Sequence, residues 1–253
     1  MEKSKYDAFE GKRNELIFEN ILINMFRQIN RFKALIIILI VFILISTYLS
    51  IVVNSSVEKF NGIKIVLDAG HGGRDGGSVG VDGTIEKHIN LEYVNALKDV
   101  LIENGYMVEL TRKNDDGLYS EFAQNKKLSD MNNRFKIIKN ANPNLVISIH
   151  MNSYTSSSAR GAIAYYRKGD SSGERCADLI QKALHNDCSS KINKSKVGDF
   201  YMLNCSYYTA VLIECGFLSN PEEERLLNDE NYKKKLVNAI FKGILLYFGN
   251  NQI

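Results

Sequence analysis

From Ile63 to Phe248, short apolar runs of strand length alternate with stretches whose apolar residues recur every three or four positions. Strands expected from this pattern are Ile63–Leu67, Tyr106–Thr111, Leu145–His150, Ala162–Tyr166, Phe200–Leu203 and Ala210–Glu214. Expected helices are His88–Glu103, Ser129–Lys139, Glu174–Cys188, Glu222–Leu227 and Tyr232–Phe248. An amphipathic helix must bury its apolar stripe, and strand–helix alternation lets it do so against a sheet. The fold class is therefore α/β, a central sheet with helices on both faces, in one domain over residues 62–249. Neither internal repeats nor a Pro-rich linker divides it, and the chain's only prolines, Pro143 and Pro221, fall between elements.

Ahead of this domain, residues 34–53 (ALIIILIVFILISTYLSIVV) hold no charge. As a helix this run would be about 30 Å long, enough to cross a bilayer. It is apolar on every face, which argues against a surface helix of a soluble core. Arg27, Arg31 and Lys33 crowd its N-terminal side. Positive residues stay inside, so residues 1–33 read as a cytoplasmic leader, 34–53 as a signal-anchor and 54–61 as a stalk to an outer domain. A cleaved signal peptide, giving a secreted protein, is disfavoured by the length of the run and of the leader. Residues 14–26 carry a helical apolar stripe that could lie on the inner membrane surface or extend the anchor.

The formal net charge is +3, of which residues 61–253 contribute only +1. With no basic stripe and no nucleic-acid motif, nucleic acid is not an expected partner. The four cysteines, Cys176, Cys188, Cys205 and Cys215, form no CxxC pair, which excludes a zinc ribbon or a thioredoxin-like motif. Cys176 and Cys188 sit about 18 Å apart on one helix and cannot bridge. Cys205 and Cys215 read as small buried side chains.

Four separated segments carry chemistry: Asp68-Ala-Gly-His71-Gly-Gly, Thr84-Ile-Glu86-Lys, Ser148-Ile-His150-Met-Asn152 and Ile213-Glu214-Cys-Gly-Phe-Leu-Ser-Asn220. His71, Glu86 and His150 make a two-imidazole, one-carboxylate set, typical of a catalytic zinc that keeps its fourth position open for water. Glu214 ends an apolar run, where a carboxylate is costly unless a charge or water meets it. It is the expected proton carrier. Spacing alone also permits the reverse, Glu214 as ligand and Glu86 as base. Asp68 could accept a hydrogen bond from a ligand imidazole or hold the loop backbone. His71, His150 and Glu214 are expected at or just past the C-terminal ends of strands, the edge where open α/β sheets gather ligands. Glu86 opens a helix, where the dipole favours it in any case. Asn152, Arg74 and Asn90 are candidates for substrate binding, and His88 and His185 read as surface bystanders.

Segments 63–73, 84–91, 145–153 and 211–222 resemble the N-acetylmuramoyl-L-alanine amidases of the zinc-dependent Amidase_3 family, and the likeness covers nearly all of residues 62–249. It implies a zinc amidase fold with a mixed sheet, one zinc ion on His71, Glu86 and His150, and Glu214 as the catalytic carboxylate. The substrate implied is peptidoglycan, cut between N-acetylmuramic acid and L-alanine. The closer match is to amidases of the CwlD type, which act on spore cortex and have one catalytic domain behind a membrane segment. That match implies cortex maturation through muramic δ-lactam, a place in germination, and a membrane-anchored enzyme facing the forespore intermembrane space. An accessory activating protein would be consistent with this placement. The stretch 111–133 departs from the pattern of many relatives, on one side of the expected cleft. Two other readings keep the same residues: a zinc peptidase cutting within the stem peptide, and a membrane-tethered peptidoglycan-binding module. The open coordination position and the lack of thiolate ligands disfavour a purely structural zinc.

Overall fold

The computed structural model describes residues 62–188, 191–204 and 207–249, together with residues 22, 24–28, 30, 32–33 and 35–47. The chain divides into two compact units, residues 1–58 and 59–253. In the first, residues 35–47 are helical with exposed apolar side chains from Leu35 to Ile45. Among the described residues no helix is long and apolar enough to cross a membrane. The expected span 34–53 extends beyond the described residues at both ends. The stalk, Cys205 and most of the 14–26 stripe lie outside them as well.

The second unit is built on a mixed six-stranded sheet of order β2-β1-β3-β6-β4-β5. The strands are β1 (Lys64–Ala69), β2 (Met107–Leu110), β3 (Leu145–Asn152), β4 (Ile163–Tyr166), β5 (Lys196–Val197) and β6 (Ala210–Phe217). β2, β1, β3 and β6 run parallel, β4 is antiparallel to β6, and β5 is parallel to β4. Five helices follow in chain order: α1 (Glu86–Glu103), α2 (Lys126–Ala141), α3 (Ser171–Cys188), α4 (Pro221–Leu227) and α5 (Glu230–Gly249).

Side chains along a strand alternate between the faces of the sheet, and here the two faces differ in character. Ile65, Leu67, Ile147, Ile149, Val211 and Ile213 join the larger core, shared with α1, α3 and α5. Their neighbours Val66, Val146 and Leu212 pack on the other face, in a smaller core with Ile138 and Ala141 of α2. Continuing that alternation carries Asp68, Ser148, His150 and Glu214 to the thinner α2 face. The chemistry therefore lies where the apolar cover is slight.

Three expectations are corrected. Phe200–Leu203 is not a strand: the Leu203 and Asn204 amides both donate to the Phe200 carbonyl, at 3.0 and 3.2 Å, curling the segment into a turn. Its apolar residues Met202 and Leu203 are spent on the smaller core. The strand there is the brief β5, whose two residues are too few to carry a strand signal. Glu214 and His150 do not end their strands, because Cys215 and Met151 give β6 and β3 further buried residues on the large core, and Phe217 is buried as well. Helix starts also come earlier than the apolar spacing implies, and at α2 and α4 polar caps set them. The Asn125 side chain accepts from the Leu128 amide at 2.9 Å, and that of Asn220 accepts from Glu222 and Glu223 ahead of α4. Pro221 occupies the first turn of α4, where its missing N–H is harmless.

Helices α3 and α5 pack so closely that a Cβ at Gly243 would fall 2.5 Å from Ile180 Cα. Gly243→Ala should therefore destabilise the domain by about 1–3 kcal/mol through overpacking, despite alanine's better helix propensity. A lowered urea midpoint with an unchanged m-value is the expected reading.

Candidate active site

The site begins with a strained histidine. His71 sits at φ +63°, a conformation uncommon for residues other than glycine, between Gly70 and Gly72. Gly70 permits the close approach of the second imidazole: a Cβ there would fall 2.2 Å from the His150 ring. Such backbone strain persists only where surrounding contacts impose it, and two arginines do so. Arg134 of α2 donates to the carbonyls of Ala69 (2.7 Å) and His71. Arg112, just past β2, donates to the carbonyls of Ala69 (2.9 Å), Gly70 (3.0 Å) and Lys87 (2.6 Å). Both guanidinium groups are almost wholly buried.

Asp68 supplies the counter-charge. Its carboxylate accepts from Arg134 (2.7 Å), Thr111 (2.6 Å) and Ser148 (2.7 Å). Burial opposes its ionisation, but Arg134 and the two hydroxyls prevail and hold its pKa down at about 2. No imidazole bonds to it, so of the two roles open to Asp68 the structure selects loop anchoring.

Glu86 opens α1 with its side chain turned into the cluster. Its Oε1 lies 3.1 Å from His71 Nε2 and 3.0 Å from His150 Nδ1, while Oε2 accepts from the Ser78 amide at 2.8 Å. Burial raises its pKa, yet the two imidazoles outweigh it and keep the carboxylate well below its usual range. His71 is likewise held above its ordinary value, burial being overcome by Glu86 and Asp75. One donor atom from each of His71, Glu86 and His150 lies within 4.8 Å of the others. Two nitrogens and an oxygen converging on a shared point form a donor set suited to zinc.

Glu214 pairs in register with His150 across β3 and β6. Its Oε2 is buried and has no hydrogen-bond partner among the described residues. Burial, together with the nearby Glu86, pushes its pKa up to about 7 against the pull of His150 and His71. A lone buried carboxylate oxygen beside two imidazoles is poised to exchange a proton near neutrality.

These groups open into a cleft of about 810 Å³, also lined by Asn152, Lys127, Leu128, Met131 and Tyr201. The stretch 111–133 thus supplies one wall through the first turns of α2. Asn152 reaches the cleft, as a substrate-contacting residue must. Asn90 does not: it is fully buried and donates to the Gly70 carbonyl (3.2 Å) and Glu86 Oε1 (3.3 Å), which makes it a support rather than a substrate contact. Arg74 is exposed outside the cleft lining, with Glu121 3.9 Å away. His88 is exposed beside Asp115. Sequence reasoning missed Arg112, Arg134 and Asp130, whose Oδ2 accepts from Arg134 Nε at 2.6 Å. Their spacing carries no motif, and only the packing of α2 under the loop reveals them. It also passed over Glu223 and Glu224, whose carboxylates clamp backbone amides of Phe217 and Gly161, and of Asp82 and Thr84.

A mixed α/β sheet that gathers two imidazoles and two carboxylates in one cleft is suited to metal-assisted hydrolysis. The family model described as N-acetylmuramoyl-L-alanine amidase, Amidase_3, matches residues 65–245, and the chain belongs to that family. The germination-specific N-acetylmuramoyl-L-alanine amidase of Bacillus subtilis is 37% identical over 188 residues, covering 73% of this chain and 79% of that protein. The structure of the CwlD amidase from Clostridioides difficile, solved in complex with the GerS lipoprotein, superposes with a TM-score of 0.71 at 37% identity. It covers 75% of this chain and 100% of that one. The catalytic domain of CwlV from Bacillus (Paenibacillus) polymyxa follows at 31% identity and a TM-score of 0.64, covering 74% and 98%.

Arg134→Met would leave Asp68 charged and buried without its partner, at an expected cost of about 3–5 kcal/mol at neutral pH. Asp68 has a depressed folded-state pKa, so in the parent protein its contribution is present above about pH 4 and fades as pH falls toward 2. In the variant, protonating Asp68 relieves the stranded charge. The stability gap should therefore narrow as pH is lowered through 4, as read by denaturant titration at several pH values.

Proposed function

We propose that this amidase is zinc-dependent and hydrolyses the amide between the lactyl group of N-acetylmuramic acid and L-alanine of peptidoglycan stem peptides. The observation that carries the assignment is the buried, unpartnered Glu214 Oε2 on the strand beside His150. His71, Glu86 and His150 would hold the zinc ion, leaving one position open. When bound, zinc supplies a Lewis acid for the scissile carbonyl and lowers the pKa of water toward neutrality.

Glu214 acts on protons. Its carboxylate takes one from the attacking water and returns it to the departing amide nitrogen as the bond breaks. Burial raises its pKa to about 7 in the metal-free protein, and a bound cation lowers it toward the ionised form that accepts the proton. Asn152, two residues beyond His150, positions the substrate from within the cleft, and Arg74 would engage it only outside. The products are peptide-free muramic acid and a stem peptide with a free N-terminal L-alanine.

The cellular setting is proposed from the relatives. Likeness to the germination-specific amidase and to CwlD supports action on spore cortex peptidoglycan, where a separate deacetylase would convert the product to muramic δ-lactam, and so a role in germination. A membrane anchor over residues 34–53 would hold the catalytic domain outside the cytoplasm, in the forespore intermembrane space. The CwlD complex with a lipoprotein supports an accessory partner for this chain too.

Mass spectrometry of muropeptides after the protein meets cortex-type peptidoglycan tests the activity. Stem peptides starting at L-alanine, released with zinc and not with a chelator, are expected; cuts inside the stem would replace this reading with a peptidase. Glu214→Gln should abolish turnover while zinc still binds, and a variant that still turns over would refute the proton-carrier role. Because Glu214 works ionised, kcat/KM should fall on the acid side, with a midpoint at or below about 7, since a bound cation favours the carboxylate.

A further inference from the structure

One charged group in the cleft is left unused by this chemistry. Asp75 lies four residues beyond His71, on the tight turn closed by reciprocal backbone hydrogen bonds between Gly72 and Asp75, at 2.9 and 3.2 Å. Its Oδ1 stands 2.9 Å from His71 Nδ1 and accepts from the Gly77 amide at 3.2 Å. Its Oδ2 accepts from Lys127 Nζ in the first turn of α2. His71 Nδ1 is buried and has no well-aligned hydrogen bond, so Asp75 is the acceptor at hand. The other ring nitrogen, Nε2, faces Glu86 and the donor cluster.

We infer that Asp75 is a positioning residue: it accepts a hydrogen bond from the Nδ1–H of His71, so that the lone pair stands on Nε2, toward the metal point. A neutral imidazole has one N–H and one lone pair, and a carboxylate at one nitrogen decides which is which. Carboxylates behind ligand histidines do this in zinc sites generally, and losing one costs roughly 10–100-fold in metal affinity. Two further features of the structure bear on this role. His71 is held at a strained φ, and its ring stands edge-on to that of His150 with centroids 5.0 Å apart. Lys127 steadies Asp75 from the α2 wall of the cleft, which links that wall to the ligand. The inference rests on the proposed zinc site.

Two measurements on the full chain test it. In the first, zinc affinity is measured by competition with a chromogenic chelator for the parent, Asp75→Ala and Asp75→Asn, with thermal unfolding of each metal-free protein alongside. Asp75→Ala should bind zinc roughly 10–100-fold more weakly without a matching loss of metal-free stability. Asp75→Asn keeps an acceptor oxygen and should fall between. In the second, nitrogen NMR of the parent's histidine rings, only four in the chain, should show zinc on His71 Nε2 and a proton on Nδ1. Zinc on Nδ1, or a folded Asp75→Ala that binds as tightly as the parent, overturns the inference. If Asp75→Ala does not fold, the NMR assignment decides alone. A parent that binds no zinc overturns the zinc reading itself, and that result is distinct from the others.

Discussion

The buried ion pair between Asp68 and Arg134 is the contact on which the rest of the site depends. A carboxylate at the end of a core strand is tolerable only because a guanidinium and two hydroxyls meet it there. Once Arg134 is drawn in, its remaining N–H groups must find acceptors, and the nearest are carbonyls of the loop after β1. Arg112 fills the neighbouring ones. The loop carrying His71 is thereby fixed from beneath by two fixed charges, and its left-handed histidine is held rather than merely allowed.

From that anchor the site assembles by register. β1, β3 and β6 lie side by side and parallel, so residues at matching positions share a face. Asp68 aligns with Ser148, and His150 with Glu214. Alternation sends Ile149 and Ile213, one residue earlier, into the large core. A one-residue slip of β3 or β6 would turn His150 or Glu214 toward helices α1, α3 and α5 and expose core isoleucines to the cleft. The apolar alternation that folds the sheet is thus also what aims the chemistry.

Glu86 reaches the site by another route, from the first turn of a helix that packs on the opposite face. It arrives across the sheet's edge through the loop 76–85. That loop is held by Glu224, whose carboxylate accepts from the Asp82 and Thr84 amides. The acidic run after Asn220, which looks like an ordinary helix start, is therefore in part a set of clamps. Two of its three glutamates bind backbone amides of other segments, and one of those segments leads into Glu86.

The sequence by itself determined the α/β class, the sites of most strands and helices, and the four residues His71, Glu86, His150 and Glu214 that meet in the cleft. It could do so because strand and helix periodicities are local, and because a histidine between glycines or a carboxylate ending an apolar run violates local preference visibly. Tertiary structure alone decided the supports. Arg112 and Arg134 carry no local signature, for an arginine looks the same in sequence whether it is solvated or holding carbonyls beneath a loop. It also turned Asn90 from substrate contact to buried brace, curled Phe200–Leu203 into a turn, and extended β6 past Glu214. Each of these depends on which partner lies across the fold, and burial and hydrogen-bond satisfaction between distant segments are properties no local window contains.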